Sequence, residues 1–205
     1  MRTVQNAADI NVVHAVAAPK SFYPRGTLKC EGSVSFRSQA ARDVACLLDL
    51  DAEVRSWRCN PPALLVPGGS YVCDFLVSDV HGGETLVDAP DRQNGSSEAD
   101  IKLAAERGGF SFRQTARDEV YGGTRLRNAR DLLRYANYSV PLGDRLKLLA
   151  ALEEHGTLTV AECLTAFSET RPIGGFASMV LNGFLEVDLD DGLIGPGTAV
   201  RRITD

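Results

Sequence analysis

"YVCDFLVSDVHGGETLVDAP", residues 71–90, carries the reading of the fold. Its two apolar runs, "YVCDFLV" (71–77) and "ETLVDA" (84–89), read as β-strands joined by a hairpin at Gly82–Gly83. Each run presents one acid, Asp74 in the first and Asp88 at the end of the second. Two carboxylates on adjacent strands are the usual means of holding Mg²⁺ or Mn²⁺ against a phosphodiester.

Working outward, "EVRSWRC" (53–59) and "ALLV" (63–66) are two earlier strand-like runs, punctuated by Pro61–Pro62 and Pro67–Gly68–Gly69. The spacing predicts a meander rather than βαβ units. Upstream, "SQAARDVACLLDL" (38–50) places Ala40, Ala41, Val44, Leu47 and Leu48 on one face behind a Ser38 cap, which predicts an amphipathic helix. Downstream, "DRQNGSSEAD" reads as a loop and 97–107 as a helix capped by Ser97. "GFSFRQTA" is one more strand, and "TRLRNARDLLRYAN" (124–137) is a helix with a leucine stripe and an arginine face. Residues 1–35, with Pro19 and Pro24, read as an irregular arm.

After Pro141 the composition shifts. The order becomes helix, tight turn at Gly156, helix, turn at Pro172, helix and a two-stranded wing. Leu146, Leu149, Leu152, Leu158, Leu164, Phe167, Val180 and Leu181 form its expected core. The expected division is therefore an arm at 1–35, an α/β (α+β) domain at 36–138 and a small winged-helix domain at 139–205.

The 205 residues are 44% apolar and 24% charged, a globular composition. A net charge of −5 argues against a chain that coats nucleic acid indiscriminately, while leaving room for a local basic face. Five cysteines with no C-x-x-C spacing speak against disulfide staples and a zinc knuckle, and for reduced thiols in a cytoplasmic protein. His14, His81 and His155 are scattered without ligand spacing. No 18 consecutive apolar residues occur, so no membrane span is expected.

The order of elements resembles the restriction-endonuclease-like core, a mixed sheet flanked by helices. Residues 36–200 are similar to the TnsA family, the endonuclease subunit of heteromeric DNA transposition systems. "FRSQAARDVACLLDLDAEVRSW" resembles the family's opening F-E-S-x-L-E helix, and "YVCDFLV" its Y-x-P-D-F segment with Cys73 in place of proline. "ETLVDAP" stands where the family has V-E-V-K, and "RNARDLLRYAN" resembles its N-A-x-x-L-x-R-Y helix. The resemblance implies a PD-(D/E)xK nuclease fold whose metal ligands here are Asp74 and Asp88. The family's helix glutamate falls on Ala41 and its lysine on Pro90, so two catalytic roles are empty. Loss of such a preorganised donor costs on the order of 10²–10³ in rate. Lys102 is the candidate migrated lysine, and Glu31 or Asp43 the candidate replacement acid.

Between 101 and 148 ten basic residues stand against five acidic ones. Arg127, Arg130 and Arg134 fall at helical spacing, and with Lys102, Arg113 and Arg125 they are the candidate phosphate contacts for double-stranded DNA. A solvated face pairing with local acids is the competing reading. "PIGGFASMVLNGFLEV" offers no Lys or Arg for base reading, only Asn182. That points the winged helix toward a protein partner or a homodimer contact, with Arg201 and Arg202 after the wing as candidate phosphate contacts. The expectation is a pseudo-nuclease that binds DNA and recruits partners, in transposition, phage-type DNA handling or regulation, with no cofactor, or with Mg²⁺ or Mn²⁺ if the site is competent. The alternatives are an active, divergent metal-dependent endonuclease and a scaffold that does not touch DNA.

Overall fold

The computed structural model describes residues 21–93 and 95–204. The first twenty residues of the expected arm, His14 among them, lie outside the described residues. From 21 to 35 the chain runs without helix or extended strand, apart from one bridge between Cys30 and Trp57.

Helix α1 (Gln39–Leu50) starts where Ser38 Oγ accepts the Ala41 N–H at 3.1 Å. Its apolar face buries Ala41, Val44, Ala45, Cys46 and Leu48. Strands β1 (Val54–Cys59), β4 (Phe75–Asp79), β5 (Glu84–Asp88) and β6 (Ser111–Gln114) form one mixed sheet in the order β1-β4-β5-β6. Its first two pairings are antiparallel and the β5–β6 pairing is parallel. Side chains alternate between two covered faces. Trp57, Phe75, Val77 and Val87 pack with α1 and with α4 (Arg125–Leu133). Leu76, Leu86 and Phe112 pack with Ile101 and Ala105 of α2 (Glu98–Arg107).

The meander expected from sequence is interrupted. "YVCDFLV" is not one strand: its Tyr71 ends β3 (Gly69–Tyr71), which pairs only with β2 (Leu64–Val66) in a separate hairpin. Strand β4 begins at Phe75. The break has a cause on the next strand, because the Asp74 N–H is taken by the Asp88 carboxylate at 2.8 Å. The β4–β5 hairpin forms at the expected place. Gly82 adopts φ +91°, and Asp79 Oδ1 accepts the N–H groups of His81 and Gly83 at 2.8 and 2.9 Å.

Beyond α3 (Arg117–Tyr121) and α4 come α5 (Leu142–His155), β7 (Thr157–Thr159), α6 (Val160–Thr165), α7 (Pro172–Leu181), β8 (Leu185–Val187) and β9 (Ala199–Arg202). The strands form a three-stranded sheet, β7-β9-β8, where two strands were expected. Pro172 is the first residue of α7 rather than a turn, a position where its missing N–H costs nothing. Thr159 and Glu162 cap α6 reciprocally, through N–H···O bonds of 3.3 and 2.7 Å. Leu148, Leu152, Val160, Cys163, Phe167, Phe176, Met179 and Val200 make this core. Leu146, expected inside, is 58% exposed, because it sits about 200° round the helix from the buried Leu148.

Both halves meet on α4. Leu132 packs with Ala177 of α7 and with Leu189. Asn128, 3% exposed, donates to Leu189 O at 2.9 Å and Gly192 O at 2.8 Å, and accepts from Ile194 N at 3.0 Å. Among the described residues no helix is long and apolar enough to cross a membrane.

Candidate functional site

The two sequence-identified acids do lie side by side. Asp74 stands just before β4 and Asp88 closes β5, and each accepts an N–H from the other's strand. Asp74 N–H donates to Asp88 Oδ1, and Ala89 N–H donates to Asp74 Oδ2 at 3.0 Å. The remaining capacity of both carboxylates is taken by protein. Arg37 grips Asp74 with Nε and Nη2 at 3.1 Å each, and Arg92 Nη1 approaches Asp74 Oδ1 at 3.3 Å. Arg37 also reaches Asp91 at 2.7 Å, and Arg92 donates to Val72 O at 2.6 Å. The Arg92 guanidinium lies over the Tyr71 ring, 5.1 Å from its centroid.

Asp88 is fully buried and accepts the Tyr71 hydroxyl at 2.5 Å. Burial pushes its carboxyl above the usual carboxylate range, against the pull of that hydroxyl and of the Asp74 N–H. Burial also raises the neighbouring Cys73 thiol to about 12. The hydrogen bond to Asp74 holds the Arg37 guanidinium firmly protonated. Burial raises the Asp91 carboxyl too, but the bonds from Arg37 and Ser38 and the Arg37 charge together outweigh it, and Asp91 ends below the usual range.

These residues do not fit a divalent metal. Such a cation needs anionic oxygens that are free to turn toward it. Here two guanidiniums occupy the place of positive charge beside Asp74, and Asp88 is sealed behind Tyr71. Among the described residues no group of three or more His, Cys, Asp or Glu side chains is arranged to hold a metal. The migrated substitutes are elsewhere. Lys102 pairs with Glu98 across one helical turn at 2.8 Å, both exposed. Asp43 is held by Gln39, Tyr121 and Arg130, and Glu31 is exposed on the 21–35 segment.

The candidate DNA contacts are largely committed to acids. Arg113 pairs with Glu119 and Arg125 with Asp190, both at 2.7 Å. Arg130 binds the buried Asp43, its Nε at 3.1 Å. Arg134 reaches Asp131 at 3.5 Å, an exposed and weak contact. Arg127 is exposed and has no hydrogen bond or ion pair among the described residues, so the expected three-arginine stripe offers free charge mainly at its two ends. Arg201 and Arg202, expected after the last strand, are instead the final two residues of β9; Arg202 binds Glu153 while Arg201 is exposed. Helix α7, which carries the charge-free "PIGGFASMV", buries Gly174 through Met179 against α4 and its own core.

Sequence reasoning missed Arg37, Arg92, Asp91 and Tyr71. One signal was available: Arg37 occupies the second position of "FRS", where the resembled family carries glutamate. The change of charge at that position was readable; its pairing with Asp74 was not. Comparison of the chain with protein-family models and with curated proteins returns no match in either case.

Proposed function

We propose that this chain is a catalytically degenerate nuclease-fold protein of TnsA type, with a winged-helix C-terminal unit, that works by binding and assembly rather than by cleavage. The observation that carries the reading is the Arg37–Asp74–Arg92 cluster. A nuclease carboxylate has to be available to a metal, and here it is neutralised from both sides by side chains of the chain itself. The empty helix-acid and lysine positions, Ala41 and Pro90, agree with it. The DNA contact in this reading is electrostatic and made by the exposed Arg107, Arg117, Arg127 and Arg134. The buried α7 turns the C-terminal unit toward a protein partner.

A second reading, a scaffold without DNA contact, is favoured by the internal pairing of Arg113, Arg125 and Arg130. Fluorescence anisotropy with labelled duplex DNA across a salt series separates the two. Binding that weakens steeply with salt supports the first. Its absence at low salt leaves the scaffold. Plasmid nicking in Mn²⁺ that is lost in Asp74→Ala would overturn both and return the protein to the endonucleases.

A further inference from the structure

We propose that the groove between residues 23–26 and the C-terminal end of α4 binds unpaired, single-stranded nucleic acid, with bases stacking on its tyrosines and phosphates meeting Arg25 and Arg134. The groove encloses about 800 Å³, and its walls carry Tyr23, Tyr135 and Tyr138 together with Arg25, Arg130 and Arg134. Asp131 is the acid on the same wall, and Arg130 is bound to Asp43 behind it. The balance is positive, in a chain whose net charge is −5. Tyrosine faces beside guanidiniums suit a strand whose bases are exposed and whose backbone is anionic. A paired duplex hides those base faces.

The wall is built, not incidental. Arg42, which is fully buried, donates from Nε to Pro24 O at 2.7 Å and from Nη2 to Gly26 O at 2.6 Å. Gln39 Nε2 donates to Tyr23 O at 3.0 Å. These bonds fix the backbone on either side of Arg25 and leave the Tyr23 and Arg25 side chains outward. A Cβ at Gly26 would lie 2.7 Å from the Ala136 Cβ, so glycine is what lets this segment close on the end of α4. Tyr23 is 62% exposed, with the Arg25 guanidinium 5.3 Å from its ring centroid and Arg25 Nη2 donating to the Tyr23 hydroxyl at 3.2 Å, an exposed contact that a phosphate can replace. Tyr135 and Tyr138 meet edge to face at 6.2 Å. The Arg134 side chain is 71% exposed and only loosely held by Asp131.

The test is fluorescence anisotropy of a labelled oligothymidine of about twelve nucleotides, alongside a duplex of equal length, thymidine monophosphate and a proline-rich peptide. Expected is salt-sensitive binding of the oligothymidine. Arg25→Ala with Arg134→Ala should weaken it at least tenfold and flatten the log–log salt slope by about 1.4, at ~0.7 for each phosphate no longer neutralised. Tyr23→Ala should weaken it about five- to 150-fold, the equivalent of one stacked base, and Tyr23→Phe, which keeps the ring, should restore it. All three side chains are exposed, so the variants should melt like the parent, which a thermal scan checks. The proposal is overturned by no oligothymidine binding at low salt, or by variants that bind like the parent. It is equally overturned by monophosphate binding as tightly as the strand, or by the peptide binding in the strand's place. Duplex binding is a separate readout: its loss with oligothymidine binding intact would sink the duplex reading and leave this one standing.

Discussion

The Arg37 guanidinium holds the Asp74 carboxylate through two parallel N–H···O bonds of 3.1 Å, at the point where the chain enters β4. Asp74 is 4% exposed on its side chain, so removing this partner leaves a nearly buried charge with Arg92 alone.

Arg37→Ala is therefore expected to lower stability by about 1–3 kcal/mol, toward the low end because the arginine is a third exposed and water screens it. Urea unfolding measures this. In the parent, Mn²⁺ should leave the melting temperature unchanged. In Arg37→Ala with Arg92→Ala a Mn²⁺-dependent rise should appear, since the acid is then free to bind a cation. A rise of equal size in the parent would contradict the description of Asp74 as neutralised.

Asp88 gives a pH dependence of definite sign. Its folded carboxyl binds a proton more tightly than the unfolded one, because burial disfavours the charge. It therefore favours the folded state at low pH and opposes it once ionised. Stability should fall as pH rises from the ordinary carboxylate value, about 4, through the raised one. Asp88→Asn retains an acceptor for the Asp74 N–H and removes the titration. Urea midpoints measured from acid to neutral pH should lose that decline in the variant.

Asp144 has the opposite sign. It is buried at the start of α5, and burial pushes its carboxyl up. The N–H groups of Ser168, Glu169 and Thr170 outweigh that at 2.9 to 3.2 Å, and the carboxyl settles below the usual range. Its stabilisation is complete above the unfolded carboxylate pKa and is lost as pH falls through the lowered folded value. Asp144→Asn should be destabilised at neutral pH and should differ progressively less from the parent as acid is added. Thermal melts over that range decide it.

Gly175 of α7 lies against Phe167, whose ring would be 2.5 Å from an added Cβ. Gly175→Ala is expected to cost about 1–3 kcal/mol by overpacking, despite the better helix propensity of alanine. Chemical denaturation tests it, and a stabilised variant would show that the ring can move aside.

Local pattern carried the strands and helices well. The short run "ETLVDA" behind its Gly82–Gly83 turn and the Ser38-capped helix need only neighbours in sequence, and both are found where expected. What the sequence concealed was partnership at a distance. Arg37 meets an acid 37 residues away, and Arg130 an acid 87 residues away, so the middle member of a stripe that looked wholly available for phosphate was already engaged. The break of "YVCDFLV" at Asp74 was hidden for the same reason, since its cause is a carboxylate on the next strand. The burial of α7 was half visible: "PIGGFASMV" contains no charge, which suits a helix enclosed on all sides better than one entering a groove.

Asn128 spends both amide protons and its carbonyl oxygen on the backbone at Leu189, Gly192 and Ile194. Cutting the chain after residue 138 would strand that amide in one fragment and those backbone groups in the other, and would uncover Leu132 and Ala177 at the same time. The seam that composition draws near Pro141 is thus crossed by a satisfied polar contact. Neither half could be exchanged for a foreign counterpart without also remaking this amide contact, so the two have to change together over generations.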